Sequence, residues 1–158
     1  MITLRPMEST RADYQAMQDW FAEPELKRFV WCDEKGEPDV PLARVMEKYG
    51  QRIKHPKAVF PYFVLLNDNP IGFIQYYFAQ ETTVGLDMWL GTPQVRGKGY
   101  GSEALRQMVQ LIHQQHPAVR VLWRTHVQTG PVRQVHRPQR HAALRQQRWA
   151  GHQALAPL

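Results

Sequence analysis

The segment richest in chemistry is Gln94-Val95-Arg96-Gly97-Lys98-Gly99-Tyr100-Gly101, followed by Ser102. Its three alternating glycines let the backbone turn so that successive N–H groups point inward. A helix starting after them adds the partial positive charge of its N-terminus. Such a turn cradles phosphates. Arg96 and Lys98 offer cationic contacts, and Ser102 can cap the helix or donate to an oxygen. A Walker loop is excluded because no glycine is followed at the required spacing by Gly-Lys-Ser/Thr, and G-x-G-x-G does not match the dinucleotide pattern G-x-G-x-x-G. Other reactive residues are sparse. Cys32 is the only cysteine, which excludes an intramolecular disulfide and a cysteine-rich zinc site and gives no motif for a covalent intermediate. His126, His136, His141 and His152 show no known ligand spacing, so no metal is expected.

The elements that must position the turn lie on both sides of it. Ile2 to Leu4 is a short apolar entry, and Ser9 or Thr10 can cap a helix in which Met17, Trp20 and Phe21 recur at helical spacing from Tyr14, ending near Glu23-Pro24. Pro41 to Ile53 reads as a second helix, with Leu42, Val45, Met46, Tyr49 and Ile53 on one face. Between them, Phe29 to Val40 is an acidic loop carrying Trp31. Phe60–Leu66 and Pro70–Phe78 are continuous apolar runs around Asn67-Asp68-Asn69, the pattern of a buried hairpin. Val84–Gly91 is a third strand, Ser102–Gln115 a helix and Val119–Trp123 a fourth strand. This order indicates an α/β domain with a mixed sheet whose last strand-helix-strand unit makes a parallel crossover.

At 158 residues with 43% hydrophobic content, the chain suits one domain with one substantial core. No stretch approaches the roughly 20 apolar residues of a membrane span, and the opening residues lack the apolar run of a secretory signal. A cytoplasmic protein is therefore expected. The formal charge of +6 is unevenly placed. Residues 1–123 hold all 14 acids against 14 lysines plus arginines, whereas residues 124–158 hold six arginines, four histidines, six glutamines and no Asp, Glu, Lys, Ile, Phe, Tyr or Asn. Residues 1–123 are thus expected to be the domain and residues 124–158 a basic tail. Three readings of the tail stand open: a basic arm without periodicity, a nucleic-acid arm weakened by the lack of aromatics other than Trp149, and a GC-rich segment translated outside its ancestral frame.

Gln94, Gly97 and Gly99 match position for position the Gln/Arg-x-x-Gly-x-Gly/Ala signature of the GCN5-related N-acetyltransferases, which the chain resembles over residues 1–123. More narrowly, GLDMWLGTPQVRGKGYGSEAL, with NDNPIGFIQYY upstream, resembles the aminoglycoside 6'-N-acetyltransferases. The resemblance implies a mixed, mostly antiparallel sheet flanked by helices. It implies that the backbone from Arg96 to Gly101 holds the pyrophosphate of acetyl-CoA as co-substrate, with pantetheine along Met88, Trp89 and Leu90 and the acetyl carbonyl meeting a backbone N–H there. The cofactor set is then Met88, Trp89, Leu90, Gln94, Val95, Arg96, Gly97, Lys98, Gly99, Tyr100, Gly101 and Ser102. Asp87, the aspartate of G-x-D, is implied as the group that binds the amine and helps remove its proton. For the acceptor, Trp31 and Tyr76 or Tyr77 are candidates to stack on sugars, Gln75 to hydrogen-bond, and Glu34, Glu37 and Asp39 to attract a small cationic molecule.

Past the fourth strand the pattern departs from the family. Thr125-His126 and Gly130 replace an expected Asp-Pro and asparagine, and no tyrosine follows Tyr100. By the resemblance, the C-terminal part of the fold is altered or missing, the tyrosine that protonates the departing CoA thiolate is absent, and activity is impaired. Exposed sheet edges left by the loss would favour a homodimer. The leading expectation is an acetyl-CoA-dependent N-acetyltransferase acting on an aminoglycoside amine. Its alternatives are acetylation of a peptide or polyamine amine, or a non-catalytic protein that binds CoA or nucleic acid.

Overall fold

Tyr14, Met17, Trp20 and Phe21 fall on one side of α1 (Arg11–Phe21), all of them buried. Thr10 caps this helix by accepting from the Asp13 N–H at 3.2 Å, as its position before an amphipathic run requires. The computed structural model describes residues 1–31, 39–56 and 58–123. Glu23 then caps a short helix, α2 (Pro24–Leu26), which continues into a π-helical turn at Lys27–Trp31. The sequence reads part of this stretch as loop because Pro24 marks the end of α1. Proline is equally suited to the first turn of a new helix, and here it serves that purpose. Helix α3 (Leu42–Lys54) packs Val45 and Tyr49 inward, but Met46, expected on the same face, is 45% exposed.

Five strands form one sheet in the order β1 (Ile2–Pro6), β2 (Val59–Leu66), β3 (Asn69–Gln80), β4 (Thr83–Leu90) and β5 (Arg120–Trp123). The first four pair antiparallel, while β5 lies parallel to β4 after the crossover through α4 (Tyr100–Gln115). The expected mixed, mostly antiparallel sheet flanked by helices is what is seen, and the apolar entry at Ile2 becomes its first edge strand. Asn67 and Asp68 form the β2–β3 turn with φ of 48° and 65°, values that short polar side chains tolerate and a two-residue hairpin demands.

The sheet separates two cores. On one face Phe63, Leu65 and Phe73 pack against α1 and α3; on the other Val64, Ile74, Tyr76, Val84 and Leu86 pack against Ala104, Leu105, Met108 and Ile112 of α4. Alternation along β3 and β4 therefore decides which helices each side chain meets. Asp13 is buried at the edge of the first core and is satisfied there. It accepts from Arg5 at 2.7 and 3.0 Å and from the Glu8 N–H at 2.7 Å, and this hydrogen bonding raises the pKa of the Arg5 guanidinium. None of the described helices is long and apolar enough to cross a membrane.

Candidate active site

Strand β4 leads through a 3₁₀ turn, Pro93–Val95, into the glycine turn and then α4. Gly97 and Gly99 have φ of 74° and 84°, a region that a residue with a Cβ occupies only under strain. An added Cβ at either would meet nothing within 4 Å, so the requirement for glycine there is conformational and the space above the turn is open. Gly99 is the N-cap of α4, and the Glu103 N–H closes the first helical bond onto the Gly99 carbonyl at 3.1 Å. The N–H groups of Tyr100, Gly101 and Ser102 accordingly have no intrahelical acceptor. They open onto a groove of ≈ 220 Å³ lined by Met88, Leu90, Gly97, Gly99, Gly101 and Ser102 among others. Ser102 sits exposed within the first turn, so the cap expected of it belongs to Gly99. Apolar walls beside orphan amides suit an elongated ligand with a phosphate at one end.

Arg96 does something the sequence reading did not expect. Its guanidinium donates to Glu23 and Glu25 at 3.0 Å each and to the Leu90 carbonyl at 3.2 and 3.3 Å, and its backbone N–H donates to the Pro93 carbonyl. The side chain ties the start of the glycine turn to α2 and to the end of β4. Partial burial works against ionisation of Glu23, but the Arg96 hydrogen bond and the N–H groups of Leu26 and Glu25 outweigh it and hold the carboxyl below its usual range. Lys98 is the exposed cation of the turn. Gln94 is exposed and Val95 half-buried, both in the 3₁₀ turn, and Tyr100 is half-buried against the α4 core.

On the opposite face of the sheet, register pairs Gln75 with Asp87 and Tyr77 with Gly85 across β3 and β4. Asp87 is exposed; Gln75, 7% exposed, donates to its Oδ2 from Nε2 at 3.0 Å. Gln75 Oε1 in turn accepts from Arg52 Nη1 of α3 at 3.0 Å. The Arg52 guanidinium lies 5.1 Å over the ring of Tyr49, whose hydroxyl burial pushes above its ordinary pKa, with Asp87 reinforcing and Arg52 opposing that shift. The Tyr77 ring covers Gly85: a Cβ there would lie 2.5 Å from Tyr77 Cζ. Among the described residues β5 accompanies β4 only as far as Leu86, leaving Asp87 to Leu90 without a strand on that side. Asp87 stands on the strand that also carries Met88 and Leu90 into the groove.

The structure brings Gln75 and Asp87 together and separates Tyr76 from them. Tyr76 faces α4, stacks on Phe60 at 4.5 Å and donates to Gln115 Oε1 at 3.1 Å; burial and the nearby Tyr62 push its hydroxyl up to about 12. Trp89 likewise turns its side chain away from the groove, stacking on Phe73 at 4.3 Å, and its buried Nε1 has no hydrogen-bond partner among the described residues. Trp31 ends the π-helical turn, Asp39 is exposed, and Cys32, Glu34, Glu37, the Trp31 side chain and residues 124–158 lie outside what is described. No cluster of metal-ligating side chains occurs among the described residues. Sequence reasoning missed Arg52, Glu23 and Glu25. Each sits on a polar helix position that looks solvated, and only long-range packing reveals its partner.

Residues 1–138 match the family described as acetyltransferase (GNAT) domain. The aminoglycoside N(6')-acetyltransferases type 1 of Klebsiella pneumoniae and Serratia marcescens are each 31% identical to the chain over 142 residues, covering 82% of it and 65% of the relative. The chain therefore spans just under two thirds of the length of these curated relatives. Among solved structures, the aminoglycoside acetyltransferase AAC(6')-Ib in complex with coenzyme A is similar with a TM-score of 0.60 at 27% identity, covering 75% of this chain and 70% of that one. The spermidine N-acetyltransferase of Vibrio cholerae in complex with CoA and spermine shares the fold, with a TM-score of 0.62 at 18% identity, 77% coverage of this chain and 69% of that one.

Proposed function

The chain belongs to the acetyltransferase (GNAT) family, and on that premise we propose that it transfers the acetyl group of acetyl-CoA to a primary amine of an aminoglycoside, at the 6' position. The observation that carries this reading is the placement of Asp87: an exposed carboxylate, held through one oxygen by Gln75, on the strand whose next residues, Met88 and Leu90, line the groove at the start of α4. The relatives named for aminoglycoside 6'-acetylation support the acceptor class.

In this reading the amides of Gly97 to Ser102 bind the pyrophosphate, and Met88 and Leu90 flank the pantetheine arm. Acetyl-CoA supplies an acyl group already activated as a thioester. Asp87 binds the cationic amine and takes its excess proton, directly or through a water, leaving the neutral form that alone can attack a carbonyl. Gln75 and Tyr77, on the same face, border the acceptor. The positive charge of the acceptor matches the carboxylate of Asp87. We place the reaction in the cytoplasm and the working assembly as a homodimer.

Calorimetric titration with acetyl-CoA, followed by a thiol-release assay with kanamycin, tests the reading. Asp87→Asn should lower kcat by about 10²–10⁴-fold, the usual contribution of a general base. It should leave acetyl-CoA affinity unchanged, because the side chain lies on the other face of the sheet from the groove. Wild-type turnover in that variant would remove Asp87 from the mechanism.

A further inference from the structure

We propose that Arg52 of α3 is a positioning residue for Asp87, acting through the side-chain amide of Gln75; the inference rests on the acetyltransferase reading above. The geometry is a three-member relay. Arg52 Nη1 donates to Gln75 Oε1, and Gln75 Nε2 donates to Asp87 Oδ2, each at 3.0 Å.

The chemistry of the middle member makes the relay directional. A carboxamide has one accepting end and one donating end, and its two orientations fill nearly the same space. A guanidinium only donates, so the amide oxygen must face Arg52, and the NH₂ is then forced toward Asp87, which as a carboxylate only accepts. Asp87 and Arg52 thus select the same orientation, and Arg52 adds a fixed anchor for the amide oxygen. Without it the far end of the Gln75 side chain loses its partner, the NH₂ that meets Asp87 Oδ2 is held less firmly, and Oδ1 is presented less precisely to the acceptor amine.

Two further features suit Arg52 to this work. Its guanidinium is itself held, 5.1 Å over the Tyr49 ring on the preceding turn of α3. It also forms no ion pair among the described residues, the salt bridges being those of Arg5, Arg96 and Arg106. A half-buried cation directed at a neutral amide and not at a carboxylate leaves Asp87 unneutralised by direct pairing, so the carboxylate stays available to a cationic substrate. A lysine could not take the same flat stacked position.

The test uses the full chain, kanamycin and the thiol-release assay. Arg52→Met should lower kcat about tenfold, the kinetic equivalent of one charge-assisted hydrogen bond, with acetyl-CoA affinity unchanged by calorimetry. Arg52→Lys should recover part of the loss. In a Gln75→Met background the same Arg52→Met change should have no further effect, because the relay is already cut. A tenfold loss that persists in that background, or wild-type kcat in Arg52→Met, overturns the proposal. If the wild type does not acetylate kanamycin, the functional reading fails separately, and the relay is read by NMR of the ¹⁵N-labelled chain. The Gln75 side-chain amide should be dispersed and protected in the wild type and collapse to a solvent-like pair in Arg52→Met; an unchanged Gln75 amide overturns the relay.

Discussion

Gly97, Gly99 and Gly101 look equivalent in the sequence, and the structure separates them in a way that alanine substitution can measure. Gly99 has φ of 84°, where an alanine is strained by roughly 1–2 kcal/mol. No atom within 4 Å would clash with the new methyl, so the whole cost is backbone strain. Reduced freedom of the unfolded chain returns about 0.4–1 kcal/mol, which leaves a net loss of about 1 kcal/mol, or about 3 °C in Tm for a domain of this size. Gly101 lies in the first turn of α4 without a positive φ. Its added methyl would meet Met88 Cε at 3.2 Å and Leu90 Cδ1 at 3.9 Å, and the first of these is the far end of a flexible side chain. Helix propensity favours alanine there by up to about 1 kcal/mol, so Gly101→Ala should be neutral or stabilising. Denaturant unfolding of the two variants, with acetyl-CoA titration of each, checks this. Gly99→Ala should lose stability or, where the free turn relaxes to escape the strain, bind acetyl-CoA about fivefold more weakly, since about 1 kcal/mol is close to that factor. Equal behaviour of the two variants, or a larger loss at Gly101, would refute the assignment of the left-handed positions.

Two further predictions follow from the packing. Tyr76→Phe removes the hydroxyl that donates to Gln115 and should cost about 1 kcal/mol of stability by denaturant unfolding. The KM for kanamycin should not move, because Tyr76 faces α4; a raised KM would return this residue to the acceptor site. Glu23→Gln should loosen the tie between Arg96 and α2 and cost about 0.5–1 kcal/mol at neutral pH, as expected for a partly exposed pair. Since Arg96 lowers the folded-state pKa of Glu23 below its ordinary value of 4.5, the stabilisation is present above that value and is lost as pH falls through the folded-state pKa. Unfolding curves of the two proteins should therefore converge on acidification below about pH 4.5, and a difference that stays constant to pH 3 would count against the ion pair.

Much of the architecture was legible because it depends on local pattern. Helical spacing from Tyr14 to Phe21, the Asn-Asp turn and the strand-glycine-helix sequence around Gly97 each carry their own geometric demand, and the observed elements agree with them to within a few residues. Facing was harder to read. β3 is buried on both sides, so its run from Ile71 to Phe78 lacks the alternation that would have told Gln75 from Tyr76, and the two lie on opposite faces. Helix α2 was hidden because proline reads equally well as a stop and as a start.

What the sequence determined by itself is the set of parts: two helices before a hairpin, a glycine turn able to hold two left-handed residues, and one aspartate on the strand that enters it. These are short-range properties, set by periodicity and by backbone conformations that few residues tolerate. The tertiary structure alone decided their partners. Arg96 turned from the expected phosphate contact toward Glu23 and Glu25, more than 70 residues away in the chain, and Arg52 reached Gln75 across the packing of α3 on the sheet. Such contacts arise from the crossing of elements distant in sequence, and charge and amphipathic spacing along one helix contain no information about what stands opposite.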